Sequence, residues 1–432
     1  MELSKYNFFF VYKNKHLIYN SLSNSFAEID IQLYDFLKDK ENINLNENIL
    51  SDVKDDLVRM KILVENEKDE LNEIKFISDR RRNSDKILNL TILPTLNCNF
   101  ACTYCFEEHA HQEQMSNEIE DLIIDKIKEY KTTESLRITW FGGEPLLAFD
   151  RMVSLTNKIK KLGFPFTAGI ITNGYLLTEK IIKQLEFLNI KSIQITIDGM
   201  SDTHDSRRKL ISGRGTFLKI IENVELLKKI EPNIPVSIRV NIDDNNKDEF
   251  IKVYDFFHKK NYQKLVVTPA FVEDISTSKE NPCLFNRQKR ADFLIYLNKK
   301  FNLNFTHFYP LGDRNECGIR NVNTLVIGPR GELYKYWNDV GNDDKIIGGL
   351  NNKFKNNYRL LLRYLNGADP FNDEKCKSCF HFPTCGGGCP YLRLKNEYEN
   401  ENFDTCDYIK DNLESFLVLH YLNKEKIMDS TK

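Results

Sequence analysis

With 432 residues the chain has polypeptide enough for two or three domains, so core size does not limit it. Lys and Arg number 61 against 63 Asp and Glu, with no long block of one sign, which argues against a protein that grips nucleic acid phosphates. The apolar stretch 8–12 is too short for a signal-peptide core, and no run of about 18 apolar residues occurs, so a soluble cytoplasmic protein with no membrane partner is expected.

Residues 1–80 read as a small separate unit. Apolar segments at 6–12, 16–19 and 25–29 predict a short β-meander. Two amphipathic helices follow over 31–40 and 47–64, the second anchored by Ile49, Leu50, Val53, Leu57 and Met60. A small sheet with two or three helices is the pattern of a winged helix. The charged run 78–86 reads as a linker.

Residues 88–285 alternate between strand and helix. Short apolar runs at 88–93, 136–141, 167–172, 193–197, 236–242 and 265–268 predict strands. Between them Ile119, Leu122, Ile123, Ile127 and Tyr130 share one helical face, as do Ile181, Ile182, Leu185 and Leu188. Six such units imply an α/β fold with a parallel sheet, doubly wound or curled into a partial barrel. Either arrangement puts functional residues at the carboxyl ends of the strands. Residues 286–432 lose the alternation and are Asn-, Gly- and Cys-rich, with a late helix over 411–422. Metal cross-links would stabilise such a segment.

The cysteines number ten, and eight lie in or just after two tight groups. In a reducing compartment such groups read as metal ligands. Just past the first strand comes Cys98-Asn-Phe-Ala-Cys102-Thr-Tyr-Cys105-Phe106, three thiolates on one loop. Three ligands for a four-iron cluster leave one iron open to a substrate or cofactor. A zinc site would prefer four ligands.

This CxxxCxxC after the first strand of a βα repeat resembles the radical S-adenosylmethionine (SAM) superfamily. Three further segments match it in order over about 90–270: Gly142-Gly143-Glu144-Pro145, Thr172-Asn173-Gly174 and Thr196-Ile197-Asp198-Gly199 with His204 and Arg208 downstream. The resemblance implies a partial (β/α)6 barrel. It implies a [4Fe-4S] cluster on Cys98, Cys102 and Cys105 whose open iron chelates SAM. Gly142, Gly143 and Glu144 would receive the methionine ammonium. Asn173 would join the cofactor site, and Thr196, Asp198 and Arg208 would hold ribose and carboxylate. Phe106 would lie by the adenine. The resemblance also implies the chemistry: the reduced cluster would donate an electron to the sulfonium, and the 5′-deoxyadenosyl radical so released would take hydrogen from an unactivated carbon.

The second group, Cys376-x2-Cys379-x5-Cys385-Gly-Gly-Gly-Cys389 and then Cys406, resembles the SPASM extension of peptide- and protein-modifying members. By that resemblance Cys376, Cys379, Cys385 and Cys406 would hold one auxiliary [4Fe-4S] cluster, although four thiolates also suit zinc. A further auxiliary cluster would need Cys389, an upstream cysteine such as Cys317, and a Gly-x4-Cys segment. That segment here is Gly331 to Tyr336, a tyrosine in place of the thiol, so one auxiliary cluster is expected. Cys283 reads as a plain buried thiol.

SPASM members include sulfatase maturases and ribosomal-peptide maturases. The first kind begins near its cysteine motif and carries an acid just after the Gly-x4-Cys cysteine, where this chain has Trp337, which cannot accept a proton. The second kind often opens with a winged-helix-like domain that binds a precursor's leader by strand addition, and 62–70 resembles the end of such domains. The expected function is therefore a peptide maturase installing a thioether or carbon–carbon cross-link in a ribosomally made precursor, with flavodoxin or ferredoxin as electron donor. A formylglycine-forming sulfatase maturase, a non-catalytic leader-binding scaffold and a zinc-stabilised module are the alternatives. A DNA-binding winged helix is opposed by Asp/Glu-rich helices, and the sequence singles out no catalytic base.

Overall fold

The computed structural model describes residues 1–39, 52–105, 113–275, 279, 281–304, 309 and 316–430, the side chains of the last six excepted. Two compact units emerge: Met1–Arg82 with Asn286–Cys317 and Asn366–Lys432, and Asn83–Phe285 with Gly318–Leu365.

In the first unit β1 (Glu2–Leu3) precedes β2 (Asn7–Tyr12), β3 (Lys15–Asn20) and β4 (Ser25–Ile29), the last three forming an antiparallel sheet. Lys13 and Asn14, at φ 44° and 63°, turn β2 into β3 in the two-residue loop that suits strand twist. Helix Ile31–Lys38 starts at Asp30, whose Oδ1 accepts the Leu33 N–H at 2.8 Å. After helix Lys54–Arg59, β5 (Leu63–Val64) pairs with β1. Ile18, Leu33, Leu37, Leu57, Ile62 and Leu63 make the core, while Ile49 and Leu50 fall outside the described residues.

Helix Glu67–Arg82 runs through the first part of the expected linker, so 78–82 are helical. Its buried residues are Glu70, Ser78 and Arg82, so no apolar stripe betrays it in sequence. Arg82 Nη1 meets Asp369 Oδ2 at 2.7 Å, and Ser78 donates to Glu316. The late helix is longer than expected, Leu413–Ser430.

The second unit holds β6 (Ile87–Ile92), β7 (Phe100–Cys102), β8 (Ser135–Trp140), β9 (Phe166–Thr172), β10 (Ile190–Thr196), β11 (Arg208–Leu210), β12 (Val236–Ile242), β13 (Leu265–Phe271), β14 (Thr324–Ile327), β15 (Glu332–Tyr334) and β16 (Gly348–Gly349). Nine of these form one sheet in the order β13-β12-β10-β9-β8-β6-β14-β15-β16. It is parallel from β13 to β14 and antiparallel beyond. All six predicted strands are present. Val326, Tyr334, Val340 and Ile346 pack on Leu93 and Leu96, which draws 318–365 into this unit. Along β12, Val236, Ile238, Val240 and Ile242 are buried, while Ser237, Arg239 and Asn241 on the other face are less so. No helix among the described residues is long and apolar enough to cross a membrane.

Candidate active site

The loop that follows β6 carries Cys98, Cys102 and Cys105. Two glycines let the loop after β8 lie against it. Gly142 sits at φ 119°, and a Cβ there would come 2.4 Å from the Thr95 carbonyl oxygen. At Gly143 a Cβ would meet the Asn97 carbonyl oxygen at 2.4 Å. The Glu144 N–H then donates to that same oxygen at 2.8 Å. Farther along, β7 pairs antiparallel with β11, placing Cys102 opposite Arg208. Cys98 and Cys102 are half-buried and Cys105 is exposed. The Cys98 Sγ accepts the Phe100 N–H at 3.4 Å.

Glu144 is fully buried and ties strand ends together. Its Oε1 accepts from Thr172 Oγ1 at 2.8 Å and Leu146 N–H at 3.0 Å, and Oε2 from Asn173 N–H at 2.7 Å. Burial raises its pKa, and these hydrogen bonds work in the opposite direction. A carboxylate has about four acceptor positions, so Oε2 keeps room for one more donor. Asn173 reaches back to the cysteine loop, its Nδ2 donating to Asn99 Oδ1 at 2.7 Å.

Asp198, also fully buried, gathers the ends of β10, β11 and β12. Its carboxylate accepts from the Tyr104 hydroxyl and meets Arg207 Nε at 3.3 Å. Arg208 Nη1 and Asn241 Nδ2 donate to the same hydroxyl at 2.8 and 3.1 Å. Burial opposes the Arg208 charge, yet Tyr104, Cys102 and Asp198 hold its pKa above the usual range. Among the described residues Arg208 Nε and Arg207 Nη2 are buried without a hydrogen-bond partner. Tyr104, Arg207 and Asn241 were missed in sequence. The sequence signal for Tyr104 is its place between two cysteines.

His204 underlies this cluster. Its Nδ1 accepts the Asp198 N–H at 3.3 Å, so the proton belongs on Nε2, which faces Thr216 Oγ1 at 3.1 Å. Thr216 in turn donates to the Arg208 carbonyl at 2.6 Å. Burial, aided by the Arg208 charge, brings the His204 pKa from 6.5 down to about 3. Between those values the unfolded chain binds a proton that the folded chain refuses. Stability should therefore fall as pH drops below about 6.5, by at most about 1.4 kcal/mol per unit from this one group. Urea unfolding of the wild type and His204→Gln at pH 7 and pH 5 checks it. The penalty for substitution should shrink at pH 5, and an equal penalty at both would show that His204 is not held neutral.

The distal cysteines lie in the first unit. Gly386, Gly387 and Gly388 take φ 62°, 86° and 76°, and a Cβ on Gly388 would sit 1.7 Å from the Thr405 carbonyl oxygen. That approach brings 385–389 against 405–406, where Cys389 N–H donates to Thr405 at 3.2 Å. Cations face two thiols: Arg393 Nη2 at 2.6 Å from Cys376 Sγ and Lys410 Nζ at 3.7 Å from Cys406 Sγ. Burial pushes the Cys376 thiol up, and Arg393 pulls it down. The Lys410 pKa is raised: burial disfavours its charge, but Cys406 and Cys379 outweigh that. Cys317 is exposed, whereas Tyr336 is half-buried in the second unit. Cys283 is exposed, against the expected buried thiol, at the carboxyl end of the 83–285 segment. Phe106 lies outside the described residues.

These residues fit the groups that the resemblance implies. The three thiols share one loop, and the orphaned guanidinium nitrogens of Arg207 and Arg208 beside it call for an acceptor such as a carboxylate. Among the described residues no three His, Cys, Asp or Glu groups are arranged for a single metal ion.

Residues 92–257 match the family model of the Radical SAM superfamily. The cysteine-type anaerobic sulfatase-maturating enzyme of Clostridium novyi is 24% identical over 343 residues, 70% of this chain and 88% of that protein. The structure of anSMEcpe with bound AdoMet aligns at a TM-score of 0.61 and 20% identity, covering 80% of this chain and 100% of that one. Streptococcus suis SuiB bound to precursor peptide SuiA aligns at a TM-score of 0.51 and 16% identity, covering 93% of this chain and 98% of that one. The fold is the α/β radical SAM fold with a mostly parallel nine-strand sheet, and the chain carries a radical SAM domain over 92–257 with maturases among its relatives.

Proposed function

We propose that the chain is a peptide maturase that installs a thioether or carbon–carbon cross-link in a ribosomally made precursor. The observation that carries this is the reach of the SuiB likeness. The 7% of this chain outside it is about 30 residues, fewer than the 82 of the segment Met1–Arg82, so the shared fold includes part of that segment. In this reading the first six parallel strands are the partial barrel, residues 1–80 bind the leader as a winged-helix-like domain, and 286–432 form a SPASM segment. Cys98, Cys102 and Cys105 hold the SAM-site cluster, and Cys376, Cys379, Cys385 and Cys406 hold one auxiliary cluster, with Cys317 and Cys389 outside both.

When bound, the cluster and SAM supply a hydrogen-abstracting radical. The chain's own residues do the positioning. Glu144 offers its remaining acceptor position to the SAM ammonium, beside Gly142, Gly143 and Asn173. Arg208 takes the carboxylate, while Thr196 and Asp198 lie by the ribose.

A sulfatase-maturase reading stays in competition because the Clostridium novyi enzyme aligns over 88% of its length. Against it stands Trp337, 41% exposed where a carboxylate base is needed, and stacked near Tyr336 at 6.1 Å. Anaerobic reaction with the short peptide encoded nearest this protein, followed by mass spectrometry, separates the readings. Loss of two hydrogens from the peptide is expected. An unchanged peptide, together with formylglycine formed on a sulfatase peptide, would overturn the proposal.

A further inference from the structure

The β7–β11 pair carries the cysteine loop on one strand and an unexplained surface on the other. The segment 207–219 contains five basic residues and no acidic one. Arg207 and Arg208 point into the site, whereas Lys209, Arg214 and Lys219 are exposed. Lys219 pairs with Glu222 at 3.3 Å, but among the described residues neither Lys209 nor Arg214 has an ion-pair partner. The carboxylate nearest in sequence, Asp205, is taken up by the Thr216 and Phe217 N–H groups at 2.7 and 2.8 Å.

Between these cations in sequence stand two of the most exposed large apolar side chains, Ile211 at 71% and Leu218 at 70%. Neither sits on a loose loop. Leu210 N–H donates to the Arg214 carbonyl at 2.9 Å, Gly213 N–H to the Leu210 carbonyl at 2.8 Å, and Ile211 N–H to the Asn99 carbonyl at 3.0 Å. The last bond anchors the turn to the stretch between Cys98 and Cys102. Lys209 stands opposite Ala101, one residue from Cys102. A pre-formed turn loses little freedom on binding, and apolar centres ringed by charge are how small interfaces are built.

We propose that Lys209, Ile211, Arg214 and Leu218 form the docking face for a small acidic one-electron carrier protein, which approaches the cysteine loop here. The inference rests on the radical SAM assignment, which requires an external reductant. One electron leaves the carrier, whose own redox group is oxidised by one unit, and passes to the cluster held by the loop. No bond of this chain forms or breaks. The basic rim steers an acidic partner and sets the salt dependence of its approach, while Ile211 and Leu218 supply the contact. Such encounters are transient and small in area.

The test uses full-length reconstituted enzyme and two variants, Lys209→Glu with Arg214→Glu, and Ile211→Ser with Leu218→Ser. Formation of 5′-deoxyadenosine is measured with dithionite, with reduced bacterial flavodoxin and with reduced ferredoxin. Carbodiimide cross-linking to each carrier, mapped by mass spectrometry, gives a readout independent of turnover. Both variants should keep the dithionite-driven rate and lose about tenfold or more of the carrier-driven rate at low salt. In the wild type Lys209 should appear among the cross-linked residues. Three results would overturn the proposal: undiminished carrier-driven rates in both variants, equal loss with dithionite, or a wild type that takes electrons from dithionite but from neither carrier. Reduced modification of a precursor peptide with normal carrier-driven deoxyadenosine would instead assign the face to substrate. A wild type inactive even with dithionite would sink the radical SAM assignment itself, a distinguishable failure.

Discussion

Changing Cys98, Cys102 and Cys105 together to Ala should lower the iron of anaerobically reconstituted protein from about eight to about four atoms per chain and abolish SAM cleavage. The three thiols share one loop of the second unit, whereas Cys376, Cys379, Cys385 and Cys406 belong to the first. Loss of one set therefore need not disturb the other. The backbone around the first set does not depend on thiols: β7 is held by its pairing with β11, and Gly142 and Gly143 pack on the carbonyls of Thr95 and Asn97. The triple variant should fold, keep the distal iron and retain the Tyr104–Asp198–Arg208 network. Iron and sulfide analysis, with 5′-deoxyadenosine assayed in parallel, checks this. About twelve irons in the wild type would bring Cys317 and Cys389 into a further cluster, and stoichiometric zinc would make the distal set a structural metal site.

What the sequence made legible follows from which interactions are local. The predicted run 236–242 is the observed β12, and 88–93 is β6 shifted by one residue, because alternating or continuous apolar residues mark a strand wherever it pairs. The segments at Cys98, Gly142, Asn173 and Asp198 were all legible as strand exits, and they converge because parallel strands place their carboxyl ends side by side. Helix Glu67–Arg82 was hidden in part because its buried face is polar. Strand β14 is only four residues long and is recruited by pairing with β6, about 230 residues earlier. Tyr104, Arg207 and Asn241 carry no motif of their own. Only the register of β7 on β11 and the nearness of β12 make them a network.

The grouping of 1–82 with the distal cysteines was equally invisible, and it decides the other large effect. Phe8 of β2 stacks on Phe380 with ring centroids 5.5 Å apart, and Ser21 donates to the Phe380 carbonyl. Phe380 directly follows Cys379. Its neighbour His381 is fully buried and lies 3.2 Å from Asp407, which follows Cys406. Arg82, 5% exposed, is held by Asp369 and Glu316. Deleting residues 1–82 would thus strip the cover from the loop that presents Cys379 and leave two carboxylates without their cation. The truncated chain should lose the distal iron, about four atoms, and keep the SAM-site iron with slow, uncoupled formation of 5′-deoxyadenosine. Modification of a full-length precursor at micromolar concentration should nearly vanish for a second reason. A bound leader holds its core peptide at an effective concentration near about a millimolar, and that gain disappears with the domain. Arg82→Ala is the milder probe. Removing one partner of a buried ion pair costs about 3–5 kcal/mol, so this variant should unfold at lower denaturant while still binding leader below the transition. Iron content, both products and a denaturation curve for the three proteins separate the two roles. Full iron in the truncated chain would show that 1–82 do not support the distal site. Equal precursor modification by intact and truncated enzyme would remove the leader-binding role and restore the sulfatase-maturase reading.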